Sequence, residues 1–309
     1  MRAIAVLLVM FYHAAWKREI YSESSWDWFN FGEAGVDLFF IISGYIMCYT
    51  TYRRKTDIYK FMKARFTRII PLYWIITCAA LLIYLIAPDK INSSGGDRSI
   101  FDSFTLLPTQ GKYLVQNGWT LSYEFFFYII FSLGLGFAAT KKHFIPAVIL
   151  AALVIVGQIF SPSNVYLKFM TDPILIEFIM GIAAFNLLQK YVYSRSTAIF
   201  ICVSSISMLI LISYLGGSNR VIDYGIPSLF FFIGMVSLED NFRKHKHHLP
   251  SKLLGKIGDS SYSSYLIHPF FLAIGAIVFS KISIANYGNL FIISLVVGSL
   301  LTGWICYVS

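Results

Sequence analysis

Charge is what this chain has least of. Only 13% of its 309 residues are Asp, Glu, Lys or Arg, about half the share in soluble domains, which excludes a water-soluble globular protein. Cysteine is scarce as well. Cys48, Cys78, Cys202 and Cys306 stand singly inside apolar runs, with no CxxC and no histidine at ligand spacing. That pattern excludes a disulfide framework, leaves the cysteines as small core residues, and gives no reason to expect a metal. Internal repeats, low-complexity tracts and heptad arrays are missing too. What fills the chain instead is apolar sequence: 57% hydrophobic and 17% aromatic, in runs separated by short breaks. This describes an all-α fold, a polytopic membrane helical bundle forming one membrane-embedded domain over residues 1–309.

Ten stretches are each about long enough to cross some 30 Å of hydrocarbon. They run near Arg2–Trp16, Gly35–Tyr52, Ile69–Ala87, Trp119–Ala139, Phe144–Phe160, Ile174–Gln189, Thr197–Leu215, Val221–Leu238, Tyr262–Ser280 and Asn289–Val308. If the chain starts in the cytoplasm and alternates, Arg2 and the loops Arg53–Arg68, Lys141–His143, Lys190–Arg195 and Glu239–Gly258 fall inside. These hold 17 of the 25 Lys and Arg, the asymmetry of the positive-inside rule, and both termini are then cytoplasmic. The same distribution argues against a nucleic-acid partner for the net charge of +9. Span one is short for a crossing, so the expectation is either a helix partly buried in the bundle or a true start upstream of Met1.

In the first inner loop, Ile58, Met62, Phe66 and Ile69 recur at three to four residues, which predicts an amphipathic helix on the inner membrane surface before span three. The outer loop Pro88–Gly118 is the longest and carries Asn92-Ser93-Ser94-Gly95-Gly96-Asp97, suited to a lid over an outer site. The tract Lys244-His245-Lys246-His247-His248 looks like a metal tract but is better read as a basic inner loop.

Ionisable residues inside spans are expensive and so are functional candidates. Arg2 and His13 are eleven residues apart on span one, which at about 100° and 1.5 Å per residue puts them on nearly one face, roughly 16 Å apart. His13, Asp37 and Glu124 then lie at similar depth near the outer side, on three helices. An imidazole beside a carboxylate is the usual base for activating a hydroxyl; the same groups could instead be structural pairs between helices. On the inner side, Arg2, Arg65 and Arg68 gather near the membrane face, with Arg65 and Arg68 three apart on one helix face. Guanidinium forks suit phosphate oxygens, although inner arginines also bind anionic lipid. Ser43-Gly44 sits mid-membrane, with the glycine allowing close helix approach and Ser43 more suited to a hydrogen bond to the backbone than to attack. His268 precedes the helix-kinking Pro269 and either lines a cavity or satisfies carbonyls freed by the kink. Asp172 and Glu177 carry the same ambiguity.

Five stretches together resemble acyltransferase family three, the integral-membrane O-acyltransferases of bacterial surface polysaccharides. They are Arg2-Ala3-Ile4-Ala5-Val6-Leu7 through Tyr12-His13 (an Arg, ten residues, His motif), Gly35-Val36-Asp37-Leu38-Phe39-Phe40-Ile41-Ile42-Ser43-Gly44, Arg65-Phe66-Thr67-Arg68-Ile69-Ile70-Pro71-Leu72-Tyr73, Trp119-Thr120-Leu121-Ser122-Tyr123-Glu124-Phe125-Phe126-Phe127-Tyr128 and Tyr262-Ser263-Ser264-Tyr265-Leu266-Ile267-His268. The tryptophan motif is most similar to the exopolysaccharide branch.

The resemblance implies ten helices in the bacterial cytoplasmic (inner) membrane. It also implies an acyl-coenzyme A donor, acetyl-coenzyme A foremost, used from the cytoplasmic side, and a polysaccharide or lipid-linked saccharide acceptor. His13 would be general base or transient acyl carrier, with Asp37 and Glu124 as its acidic partners. Arg2, Arg65 and Arg68 would meet the coenzyme's phosphates; Tyr123, Trp119, Ser43 and His268 would contact the acceptor. A rival reading is a proton-coupled transporter or exporter of a polysaccharide precursor, with His13, Asp37 and Glu124 relaying protons. Another is a membrane scaffold whose buried charges only pair.

Overall fold

A computed structural model describes residues 1–21, 27–52, 56–88, 96–137, 142–239, 248–282, 284 and 287–308. Among them the chain is all-helical. In order, the α-helices are α1 (Arg2–Tyr21), α2 (Ala34–Thr51), α3 (Ile58–Ile86), α4 (Ile100–Thr105), α5 (Gly118–Gly134), α6 (Phe144–Phe160), α7 (Val165–Met170), α8 (Leu175–Lys190), α9 (Arg195–Leu215), α10 (Ile226–Ser237), α11 (Leu249–Asp259), α12 (Ser261–Lys281) and α13 (Gly288–Val308). A 3-10 segment, Asp27–Glu33, leads into α2, and a π-helical turn, Val221–Gly225, leads into α10. The polar run Asn92 to Gly95, Arg53, Lys141 and the tract Lys244 to His247 lie outside the described residues.

Six helical stretches among the described residues are long and apolar enough to cross a membrane: Phe29–Thr51, Ile58–Ile86, Val165–Lys190, Arg195–Leu215, Ser261–Lys281 and Gly288–Val308. Two shorter apolar helices, Phe144–Phe160 and Val221–Ser237, accompany them. The protein is therefore a multi-pass membrane protein. A helix occupies each of the ten stretches marked out in the sequence, and α1 extends five residues beyond the drawn span.

Contacts divide the chain into two compact units, one of Met1–Ile42 with Ala183–Ser309 and one of Ser43–Ile182. In the first, α1 packs on α12 and α13. Val6, Val9, Met10 and Ala14 of α1 share a core with Leu272, Phe291 and Leu295. The alanines and Gly35 let backbones close up: a Cβ on Gly35 would stand 2.5 Å from the carbonyl oxygen of Ala5. In the second unit, α5 packs on α3 and α6, and its core is aromatic. Phe127 stacks on Phe178 at 4.4 Å between centroids, and Phe61 stacks on Phe131 at 5.6 Å.

That last contact explains a difference from the sequence expectation. The amphipathic surface helix and span three are one continuous α-helix, α3, of 29 residues with Pro71 inside it. Asp57 caps its start, accepting from the backbone N–H of Tyr59 at 2.7 Å. Phe61 in its first turns packs on α5 and is 2% exposed, while Ile58 and Phe66 of the predicted apolar face stay 45% and 47% exposed, so that face is open to a membrane surface although the helix runs on into span three. The basic positions at the next loop also turn inward. Lys142 Nζ donates to the carbonyls of Thr51 and Tyr52 at the end of α2, where the helix leaves acceptors unsatisfied. Burial, with Lys142 beside it, holds His143 down to about 4, so its ring is neutral against Thr51 Oγ1 at 3.0 Å.

Gly44 makes a close backbone approach within the second unit. A Cβ there would stand 2.3 Å from the Phe178 carbonyl oxygen, which only a backbone shift relieves. Gly44→Val is expected to cost about 1–3 kcal/mol or more, measured as a lowered midpoint of thermal unfolding in detergent. An unchanged midpoint would remove the close approach as a constraint.

Candidate active site

In the first unit the site is built on α1. His13 stacks against His268 of α12, with ring centroids 5.4 Å apart and planes at 29°. Tyr12 sits edge-on to His13 at 5.1 Å. Its hydroxyl donates to Glu33 Oε1 at 2.6 Å, and Glu33 Oε2 lies 3.6 Å from Arg220. Arg220 in turn grips Asp37 with two parallel bonds, Nε to Oδ1 at 3.2 Å and Nη2 to Oδ2 at 2.8 Å. Asp37 is completely buried, and a buried carboxylate needs this kind of bidentate partner. Arg220 stands just before the π-helical turn, a local widening often found at functional sites. The backbone there is held by Asn219 and Asp223, which accept from N–H groups of Val221 and Asn219 at 3.1 and 2.7 Å.

Asp37 was expected beside His13 as an acid partner. The structure engages both of its oxygens with Arg220, which suits a charge that holds α2 to the start of α10. Arg220 and Glu33 were missed in the sequence. The available signal was an arginine at the mouth of a span in a loop that the sequence topology assigns to the outside, a position that the positive-inside rule leaves unexplained.

In the second unit Glu124 is the centre. Its Oε1 accepts from Ser43 Oγ at 2.8 Å and from the Tyr128 hydroxyl in a very short bond. Ser43 thus makes a hydrogen bond to a side chain. The Arg65 guanidinium lies over the rings of Phe61 and Tyr128 at 5.4 and 5.9 Å, and its Nε is buried without a partner. Arg68, one turn further along α3, is exposed. Trp119 meets Tyr123 edge-on at 6.1 Å, and Tyr123 stacks on Phe169 at 4.2 Å. The Tyr123 hydroxyl donates to Asp172 Oδ2 at 2.8 Å, while Asp172 Oδ1 accepts from the Ile174 N–H at 2.9 Å, just before α8. Asp172 is therefore a structural clasp as well as a tyrosine partner.

The structure thus groups Arg2, His13, Asp37 and His268 in one unit, and Ser43, Arg65, Arg68, Trp119, Tyr123 and Glu124 in the other. No cluster of three or more His, Cys, Asp or Glu that could hold a metal ion occurs among the described residues.

Comparison with known proteins agrees on one family. The profile described as an acyltransferase domain matches residues 1–308. The exopolysaccharide production protein ExoZ of Rhizobium meliloti (strain 1021) is 31% identical over 275 residues, covering 86% of this chain and 83% of its own length. The O-acetyltransferase OatA of Staphylococcus aureus (strain NCTC 8325 / PS 47) is 27% identical over 316 residues, covering 87% of this chain. The chain spans about half of OatA, 49% of its length. No solved structure matches the chain. Over nearly its whole length, this membrane protein is an acyltransferase and belongs to acyltransferase family three.

Proposed function

We propose that the protein moves an acetyl or other short acyl group from acyl-coenzyme A, bound on the cytoplasmic side, to a hydroxyl of a cell-surface or exopolysaccharide sugar. The observation that carries this is the His13–His268 stack on the helix whose motif resembles the family's Arg-to-His signature. In sum, the acceptor oxygen bonds the acyl carbon, the thioester C–S bond breaks, and the acceptor's proton ends on the coenzyme's sulfur. His13 is the reacting imidazole, near the outer side of a bundle of ten spans with both ends in the cytoplasm of a bacterium. The whole of 1–309 works as one membrane-embedded domain.

The donor is polyanionic, and Arg65 and Arg68 are the cations assigned to its phosphates. Exposure of Arg68 and the unpartnered Nε of Arg65 support this. Glu124, held by Ser43 and Tyr128, orients the acceptor, and the Trp119 and Tyr123 rings offer apolar contacts to a sugar. Asp37 acts through the Arg220 pair. The acceptor is a polysaccharide or a lipid-linked saccharide, and the names of ExoZ and OatA favour this over a transported precursor.

The deciding experiment is a deletion strain. Its surface polysaccharide should lose ester acetyl signals by NMR and regain them on complementation; an unchanged ester content refutes the proposal. Proton-driven flux in liposomes with no acyl transfer would favour the transporter instead. For the donor site, Arg68→Ala is expected to weaken acetyl-coenzyme A binding by about 10- to 100-fold, the size of a lost charged hydrogen bond, with little effect on the acceptor's KM. An unchanged donor affinity in a titration would return Arg68 to a topology signal.

A further inference from the structure

Pro269 lies inside α12 and has no N–H for the carbonyl four residues back. That carbonyl belongs to Tyr265, and His268 Nδ1 stands 2.8 Å from its oxygen. A carbonyl only accepts, so Nδ1 carries the hydrogen, and the lone pair of the neutral ring is left at Nε2. His268 is 0% exposed, and Nε2 has no hydrogen-bond partner among the described residues. Buried polar atoms are nearly always paired. An acceptor held in one tautomer, unpaired, and lying against His13 is where a ligand's hydroxyl fits.

We propose that His268, through Nε2, takes the proton of the acceptor hydroxyl, while His13 carries the acyl group between donor and acceptor. This rests on the acyltransferase function proposed above. A neutral imidazole has one lone pair. Once acylated, His13 keeps only the nitrogen opposite the acyl group, which the electron-withdrawing acyl makes a poor base for the incoming hydroxyl, and the neighbouring neutral ring supplies a better one. In the first step a His13 nitrogen bonds the thioester carbon and the C–S bond breaks. The electron pair leaves on sulfur, which takes the proton from the other His13 nitrogen. In the second step the acceptor oxygen bonds the acyl carbon as its proton passes to His268 Nε2. The C–N bond breaks, its pair returns to His13, and that ring takes the proton back from His268. Both rings end neutral, and His268 Nδ1–H stays on the Tyr265 carbonyl throughout.

His268→Asn separates the two roles of this ring, because the asparagine amide can still donate to the Tyr265 carbonyl but has nothing at the place of Nε2. Purified full-length protein in detergent is mixed with acetyl-coenzyme A, with and without alkali-de-esterified surface polysaccharide from the source cells. The variant should release one equivalent of free coenzyme per protein, keep its KM for acetyl-coenzyme A, and transfer at least about 100-fold more slowly. Transfer within about threefold of the parent overturns the proposal, since the ring then only caps a carbonyl. Loss of the single-equivalent release together with transfer overturns it as well. Should the variant not fold, Pro269→Ala returns a backbone N–H to the Tyr265 carbonyl, and His268→Ala on that background has no cap to lose. Transfer at the Pro269→Ala level would then refute the proposal, and release without transfer would support it. A parent protein that neither releases coenzyme nor transfers refutes the acyltransferase function before any variant is made.

Discussion

Replacing His13 with alanine is expected to lower acyl transfer by about two to four orders of magnitude, the usual weight of a positioned imidazole, while the protein stays folded. The fold should survive because α1 is anchored by other side chains, Val6, Val9, Met10 and Ala14, in the core it shares with α12 and α13. What the substitution removes is the stack on His268 and the edge contact with Tyr12, each worth about 0.5–1.5 kcal/mol. Alanine also favours the helix more than histidine does. The check is paired: acetyl-coenzyme A-dependent transfer by the purified variant, and its unfolding midpoint in detergent. Transfer at the parent's rate would take His13 out of the chemistry.

The second large effect concerns stability. Arg220→Ala strips both bonds from a carboxylate that is 0% exposed. Breaking a buried pair from one side typically costs about 3–5 kcal/mol, because the remaining carboxylate loses its opposite charge. The expected result is a steep fall in folded yield and in unfolding midpoint. Adding Asp37→Asn to Arg220→Ala should recover a large part of that loss, since an amide is far cheaper to bury than a carboxylate. If the single and double variants unfold alike, the pair does not hold the structure, and Asp37 returns as a candidate acid partner of His13.

How far the sequence could be read follows from how local each signal was. Each of the ten apolar stretches holds a helix among its described residues, because period and length are properties of neighbouring residues. The Gly44 approach was legible for the same reason: a glycine in an apolar span has few other uses. His268 was half legible, since a proline's freed carbonyl lies at a fixed offset, and the Nδ1 bond to Tyr265 is the outcome of that rule. The unpaired Nε2 was not, because emptiness around an atom depends on every helix nearby. The Asp37–Arg220 pair joins residues 183 positions apart, and nothing in either segment names the other. The continuity of α3 was hidden by Pro71 and by the basic loop. Both imply a break until Phe61 is seen against Phe131 and Tyr128.

At 29 residues, α3 is about 43 Å long, against about 30 Å of hydrocarbon. Standing upright it would project about 13 Å, with Lys60, Lys63 and Arg65 on that end if the inner side is as proposed; tilt shortens the projection. Lipid chain length, together with the tilt of α3, then sets how far its cations stand clear. Longer-chain lipids would draw Arg65 and Arg68 down towards the oil and shorter ones would lift them into water, which makes donor affinity a gauge of membrane thickness.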